Sequence, residues 1–250
     1  MNRTDHATNA TAVAAAGPAA GNAVRLRFAG FGVLFFAGLL GLATFLTGGT
    51  MPTGTAVAAA VYLLAVGLAW RGLAGYPHRA LGLCNVVTLC RLMLVCGLIA
   101  ALVSPGAGSW TILVLATITL SLDGVDGWLA RRGGHVSDFG ARFDMEVDGV
   151  LALVLALLAY AGGHAGIIVV LLGLPLYLFR AAQYAMPWLT GDLPERFSRK
   201  LVCVVQIAVL ILVLVPVVDR WLADVVAALT VAALVWSFAL DIRLLWRART

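Results

Sequence analysis

Charge is scarce in this sequence. Acidic and basic residues make up 12% of 250 residues, against 62% hydrophobic, and a soluble domain carries about a quarter charged. That deficit excludes an ordinary water-soluble globule and points to an integral membrane protein. The ten-residue alternating strands of a membrane β-barrel are also missing; the apolar runs are continuous. Helices satisfy their own backbone polar groups, which lipid cannot do. The expected fold is all-α, a polytopic membrane helix bundle. Lysine occurs once, beside sixteen arginines. The arginines are scattered at segment ends, a pattern of membrane orientation and not of a nucleic-acid partner. Cys84, Cys90, Cys96 and Cys203 form no C-x-x-C pair and lie in apolar segments, which excludes a disulfide framework and a zinc site.

Eight runs near spanning length are present, at roughly 28–47, 55–70, 82–103, 109–130, 139–162, 166–185, 200–218 and 222–242. Residues 1–24 are polar and rich in Ala, Thr and Asn, and are expected to be disordered. With eight spans, Arg25, Arg27, Arg71, Arg79, Arg131, Arg132, Arg196, Arg199, Lys200 and Arg243 all fall on one side. The positive-inside rule makes that side cytoplasmic.

The acids are few and concentrated. Six of the twelve lie between positions 123 and 148. Asp123 and Asp126 are three apart near the end of the fourth run; Asp144 and Asp148 are four apart near the start of the fifth. Both spacings put carboxylates on one helix face. The short connection makes the two helices antiparallel neighbours. Four acids beside hydrocarbon need cations or water, and all-oxygen donors suit hard divalent ions better than zinc. Glu146 falls on another face, and Asp138 sits where a helix cap is expected. Gly127, Ala130 and Gly140 are small enough to let a backbone or a flat ligand approach, and Arg131 is placed to grip a phosphate or anchor the interface. Asn85, Thr88 and Arg91 make a polar stripe on the third run. Buried Arg91 requires an anionic partner, a substrate phosphate or a motif carboxylate. His78, His135 and His164 lie in loops, and none stands at metal-ligand spacing from another.

The string Asp123-x2-Asp126-Gly127-x2-Ala130-Arg131-x8-Gly140-x3-Asp144-x3-Asp148 resembles the complete signature of the CDP-alcohol phosphatidyltransferases. Asn85-x2-Thr88-x2-Arg91 resembles a further segment of that family, with Cys84 where Pro is usual. The resemblance implies a core at 82–250 and two added N-terminal helices at 25–81. It implies transfer of the phosphatidyl group of a CDP-linked lipid, usually CDP-diacylglycerol, to a small acceptor alcohol with release of CMP, in phospholipid biosynthesis. By resemblance, Asp123, Asp126, Asp144 and Asp148 bind two Mg²⁺ or Mn²⁺ ions, and Asp148 is the general base. Gly127, Ala130, Arg131 and Gly140, with Asn85, Thr88 and Arg91, bind the CDP-lipid.

Arg180, Arg199 and Lys200 are candidates for a phosphorylated acceptor, since their stretches resemble phosphatidylglycerophosphate synthases. Gly149 stands where members using phosphorylated acceptors tend to carry Lys or Arg. Glycerol 3-phosphate is favoured slightly, with inositol phosphate, serine and other alcohols open. A homodimer in a bacterial-type inner membrane, its site at the cytoplasmic face, completes the expectation. The rival reading is a cation transporter or channel whose acids bind the transported ion.

Overall fold

The structure is a computed structural model describing residues 18–49, 52–190 and 197–248. Among these residues there are eight α-helices and no strand: α1 Pro18–Leu46, α2 Pro52–Gly72, α3 Leu83–Val103, α4 Ser109–Gly133, α5 Asp138–Ala161, α6 Pro175–Ala185, α7 Phe197–Val213 and α8 Arg220–Ala248. Five stretches are long and apolar enough to cross a membrane: Gly21–Leu46, Thr53–Gly75, Leu83–Val103, Ser109–Gly133 and Arg220–Trp246. The eight expected runs all recur as helical stretches in the same order. Helix α5 has the length of a span but carries Asp144, Glu146 and Asp148 in its first half, and α7 is shorter, at 17 residues. The sixth run is a bent pair. Helix α1 begins at Pro18, within the stretch expected to be disordered; proline at a first helical position already has its ring fixed at a helical φ. Residues 1–17 lie outside the described residues.

The chain divides into two compact units. The first comprises 1–106 and 118–147. Its centre is α3, the most buried of the candidate spans, at 56% against 17–22% for the others. Helices α1 and α2 close on it through bare backbone. A Cβ at Gly54 would lie 2.6 Å from the Ala100 carbonyl oxygen, and one at Gly97 would lie 2.6 Å from Leu42. The Gly54 N–H donates to Ser104 Oγ at 3.0 Å. Tyr62 donates its hydroxyl to the Gly32 carbonyl at 3.0 Å, tying α2 to α1. Without a hydrophobic drive between helices in lipid, such close contacts and hydrogen bonds supply the association. Gly48 and Gly49 (φ 65° and 71°) end α1, and Gly134 (φ 63°) turns the chain between α4 and α5.

The second unit comprises 107–117 and 148–250. Here the sixth run breaks into a 3₁₀ stretch, Ile167–Gly173, followed by α6 at 61°. Pro175 has no N–H to continue the ladder, and Gly173 lies so close to α5 that a Cβ would be 2.7 Å from Leu153 Cα. The Leu172 carbonyl at the break accepts from Gln206 Nε2 at 2.6 Å. An interior amide thus satisfies a backbone group that lipid would leave bare. Asp224 does the same for the Gly166 N–H at 2.5 Å.

Candidate functional site

Three of the sequence-predicted acids come together in the first unit. Oxygens of Asp123, Asp126 and Asp144 lie within 4.8 Å of one another. The first two project from α4 one turn apart, and Asp144 projects from α5. Asp126 is buried, while Asp123 and Asp144 are half-buried. Asp148 follows Asp144 by one turn on α5 but belongs to the second unit.

A cation from α3 reaches the point they share. Arg91 is fully buried, and its Nη1 lies 3.0 Å from Asp123 Oδ1, 2.9 Å from Asp126 Oδ2 and 2.5 Å from Asp144 Oδ1. Of the two anionic partners open to Arg91 from the sequence, the structure selects the motif carboxylates. Thr88 Oγ1, one turn before Arg91, sits 3.3 Å from Asp126 Oδ2 and 3.0 Å from the Cys84 carbonyl.

The cluster fits a divalent ion. Its donors are oxygens, and hard cations hold oxygen ligands at about 2.0–2.6 Å, which sets opposed ligands about as far apart as these carboxylates are. One Arg91 nitrogen within ion-pair distance of all three shows that they converge on a single positive charge. At that point the guanidinium and a metal ion exclude each other.

Asp126 and Asp144 border a cavity lined also by Asn85, Thr88, Gly127, His135, Ser137 and Gly140. Asn85, Thr88 and Arg91 are all buried on one stripe of α3. Gly140 is where a side chain would intrude: its Cβ would lie 3.1 Å from Asn85 Oδ1 and 3.2 Å from Ser137 Oγ. A Cβ at Gly127 would meet the Arg131 guanidinium at 3.3 Å, so Arg131 folds back over that glycine. The side chain of Ala130 lies outside the described residues.

Ser137 is a residue the sequence reading missed. Its Oγ accepts the Gly140 N–H at 3.1 Å, and its carbonyl accepts the Ala141 N–H. It therefore caps α5, where Asp138 was the expected cap; Asp138 is the first helical residue. A serine three residues before Gly140 was the available signal. Tyr76 was also missed. Its hydroxyl oxygen accepts from the Gly82 N–H at 3.2 Å and from Asn85 Nδ2 at 3.1 Å. Burial pushes its phenol further from ionisation, so it stays neutral.

Of the acceptor candidates, Arg180 lies on α6 in the second unit. Arg199 and Lys200 fall at the start of α7, and their side chains lie outside the described residues, as does Arg196. Gly149 is buried, and a Cβ there would run into Leu176. This glycine lets α5 pack against α6 at Leu176.

Fold and site together define a polytopic helical membrane protein with a carboxylate cluster, fit for a cation, set beside a glycine-lined cavity. Residues 81–238 match the sequence profile of the CDP-alcohol phosphatidyltransferases, and the chain belongs to that family. It is an enzyme of phosphatidyl transfer from a CDP-alcohol to an acceptor alcohol, a class that uses divalent metals. The transporter reading is set aside on that ground. No curated protein and no solved structure matches the chain.

Proposed function

We propose that this enzyme moves the phosphatidyl group of CDP-diacylglycerol to a small polar alcohol and releases CMP in phospholipid synthesis. The observation that carries the reading is the convergence of Asp123, Asp126 and Asp144 on one point beside the Gly127 and Gly140 cavity. Those three carboxylates, with Asp148, would hold Mg²⁺ or Mn²⁺, two ions in all. When bound, the metal supplies positive charge at the pyrophosphate, where displacement builds negative charge on the leaving oxygen.

The chain's own residues do the rest. Asn85, Thr88, Gly127, Ala130, Arg131 and Gly140 bind and orient the CDP head, and bare glycine backbone gives the flat head close approach. Arg91 offsets part of the acids' charge and would bind substrate phosphate. Asp148 accepts the proton of the acceptor hydroxyl as the hydroxyl oxygen attacks the β-phosphorus; that bond forms as the bond to the CMP oxygen breaks.

The site stands at the cytoplasmic edge of a bacterial-type inner membrane in a homodimer. Lipid tails then stay in the bilayer while the cytidine head stays wet. Glycerol 3-phosphate is the favoured acceptor, with Arg180, Arg199 and Lys200 as its anion partners. Gly149 weighs against a phosphorylated acceptor and leaves inositol phosphate, serine and other alcohols to be compared. Purified protein given CDP-diacylglycerol, Mn²⁺ and each acceptor in turn tests the reading. CMP release with one acceptor and not the others supports it; no metal-dependent release with any would overturn it.

A further inference from the structure

The segment just before the family core, Tyr76 to Arg79, lies outside the matched residues 81–238, yet it touches the cavity wall at two places. Tyr76 takes hydrogen bonds from Asn85 Nδ2 and from the Gly82 N–H. Asn85 gives one Nδ2 hydrogen to Tyr76, and its Oδ1 lies toward Gly140, on the cavity side. His78 Nε2 stands 3.1 Å from the Val136 carbonyl, and its ring centroid is 5.2 Å from that of His135. Val136 and His135 belong to the α4–α5 loop that lines the same cavity. Tyr76 also meets Phe139 edge-on at 5.8 Å, and Phe28 of α1 meets Phe139 at 6.2 Å and Phe143 at 6.3 Å.

We infer that Tyr76 and His78 are positioning residues: the N-terminal addition braces Asn85 and the 133–137 loop and so sets the geometry of the CDP-lipid cavity. Neither residue needs to touch substrate. The Tyr76 hydroxyl oxygen accepts from both Asn85 Nδ2 and the Gly82 N–H and so ties the start of α3 to the segment before it; phenylalanine keeps the ring contacts and loses that acceptor. His78 meets the loop at the Val136 carbonyl and the His135 ring. The connection between α2 and α3 thereby has a task in the reaction.

The functional consequence rests on the CDP-lipid reading; the bracing itself does not. The test therefore has two arms on the full-length protein in nanodiscs. In the first, hydrogen exchange is followed in peptides covering 79–87 and 133–141 for wild type, Y76F, H78A and H78Q. Exchange about tenfold faster over 79–87 in Y76F and over 133–141 in H78A, with the rest of α3 still protected, is expected for loss of one net hydrogen bond. H78Q, which keeps a donor, should restore much of the protection. Unchanged exchange in both Y76F and H78A would overturn the inference, whether or not the protein turns over.

In the second arm, kinetics with CDP-diacylglycerol should show KM raised about tenfold in Y76F with kcat within about twofold. A fall in kcat at unchanged KM would mean lost folded enzyme and would overturn the positioning role. If wild type releases no CMP from any CDP-lipid, the functional reading fails by itself, and hydrogen exchange still decides the bracing.

Discussion

Arg91 Nη1 and Asp126 Oδ2 form a 2.9 Å ion pair, with side-chain exposures of 0% and 4%. A buried pair survives only if each charge is compensated. The same Arg91 nitrogen also meets Asp123 and Asp144, so one guanidinium is shared by three carboxylates from two other helices and offsets only part of their charge.

Removing that cation should leave a strongly repelling metal-free cluster. R91A is expected to lose about 3–5 kcal/mol through the Asp126 pair, the range for stranding one partner of a buried pair. The half-open Asp123 and Asp144 contacts add less, because solvent screens them. Thermal unfolding in detergent with EDTA should show the drop, and Mn²⁺ should recover more stability in R91A than in wild type. Equal midpoints for the two proteins in EDTA would contradict this account of the cluster.

Gly140 should tolerate no side chain. A methyl group would press on Asn85 Oδ1 at 3.1 Å and Ser137 Oγ at 3.2 Å, and overpacking typically costs about 1–3 kcal/mol. G140A should therefore raise KM for the CDP-lipid about tenfold or more, on the conversion of about 1.4 kcal/mol per decade. G127A meets only the far end of the Arg131 side chain, at 3.3 Å, and should be affected less. Steady-state kinetics on both variants checks the order, and a larger defect in G127A would reverse it.

Asp148→Asn should abolish turnover while leaving most CDP-lipid binding intact. The loss expected for a missing general base is about 10²–10⁴-fold in kcat. Comparing kcat with the binding of CDP in the presence of Mn²⁺ separates the two effects. Full activity in this variant would remove the base assignment.

At Gly54 the prediction concerns the fold alone. A Cβ would sit 2.6 Å from the Ala100 carbonyl and 2.8 Å from Ser104 Oγ, and the obstacle is in part backbone, which cannot swing aside. G54A should lower stability by about 1–3 kcal/mol, read as a lower unfolding midpoint with KM unchanged in the enzyme that stays folded. An unchanged midpoint would show that α2 can shift on α3.

Much of this was legible from spacing. Asp123 and Asp126 at i, i+3, with Asp144 on the next helix, implied convergence because helical periodicity and a short turn leave few alternatives. Arg91 demanded an anionic partner because charge is costly among apolar side chains. Which anion it takes was not legible, since the choice depends on how far the Arg91 side chain reaches from α3 toward α4 and α5. Ser137 and Asp138 are both cap-forming residue types, and only backbone geometry separates such neighbours. The break at Gly173–Pro175 was hidden in a continuous apolar run, where composition alone does not reveal a Gln206 amide waiting for the Leu172 carbonyl. Tyr76 and His78 gave no periodic signal, since their contacts span a loop and a turn.

The central claim is that the convergent acids serve transfer from CDP-diacylglycerol. Purified protein in nanodiscs, stripped with EDTA, should release CMP only when Mn²⁺ or Mg²⁺ and one acceptor alcohol are both restored, and D123N, D126N and D144N should each fail to do so. CMP release that persists in EDTA, or undiminished release in all three variants, would contradict the account.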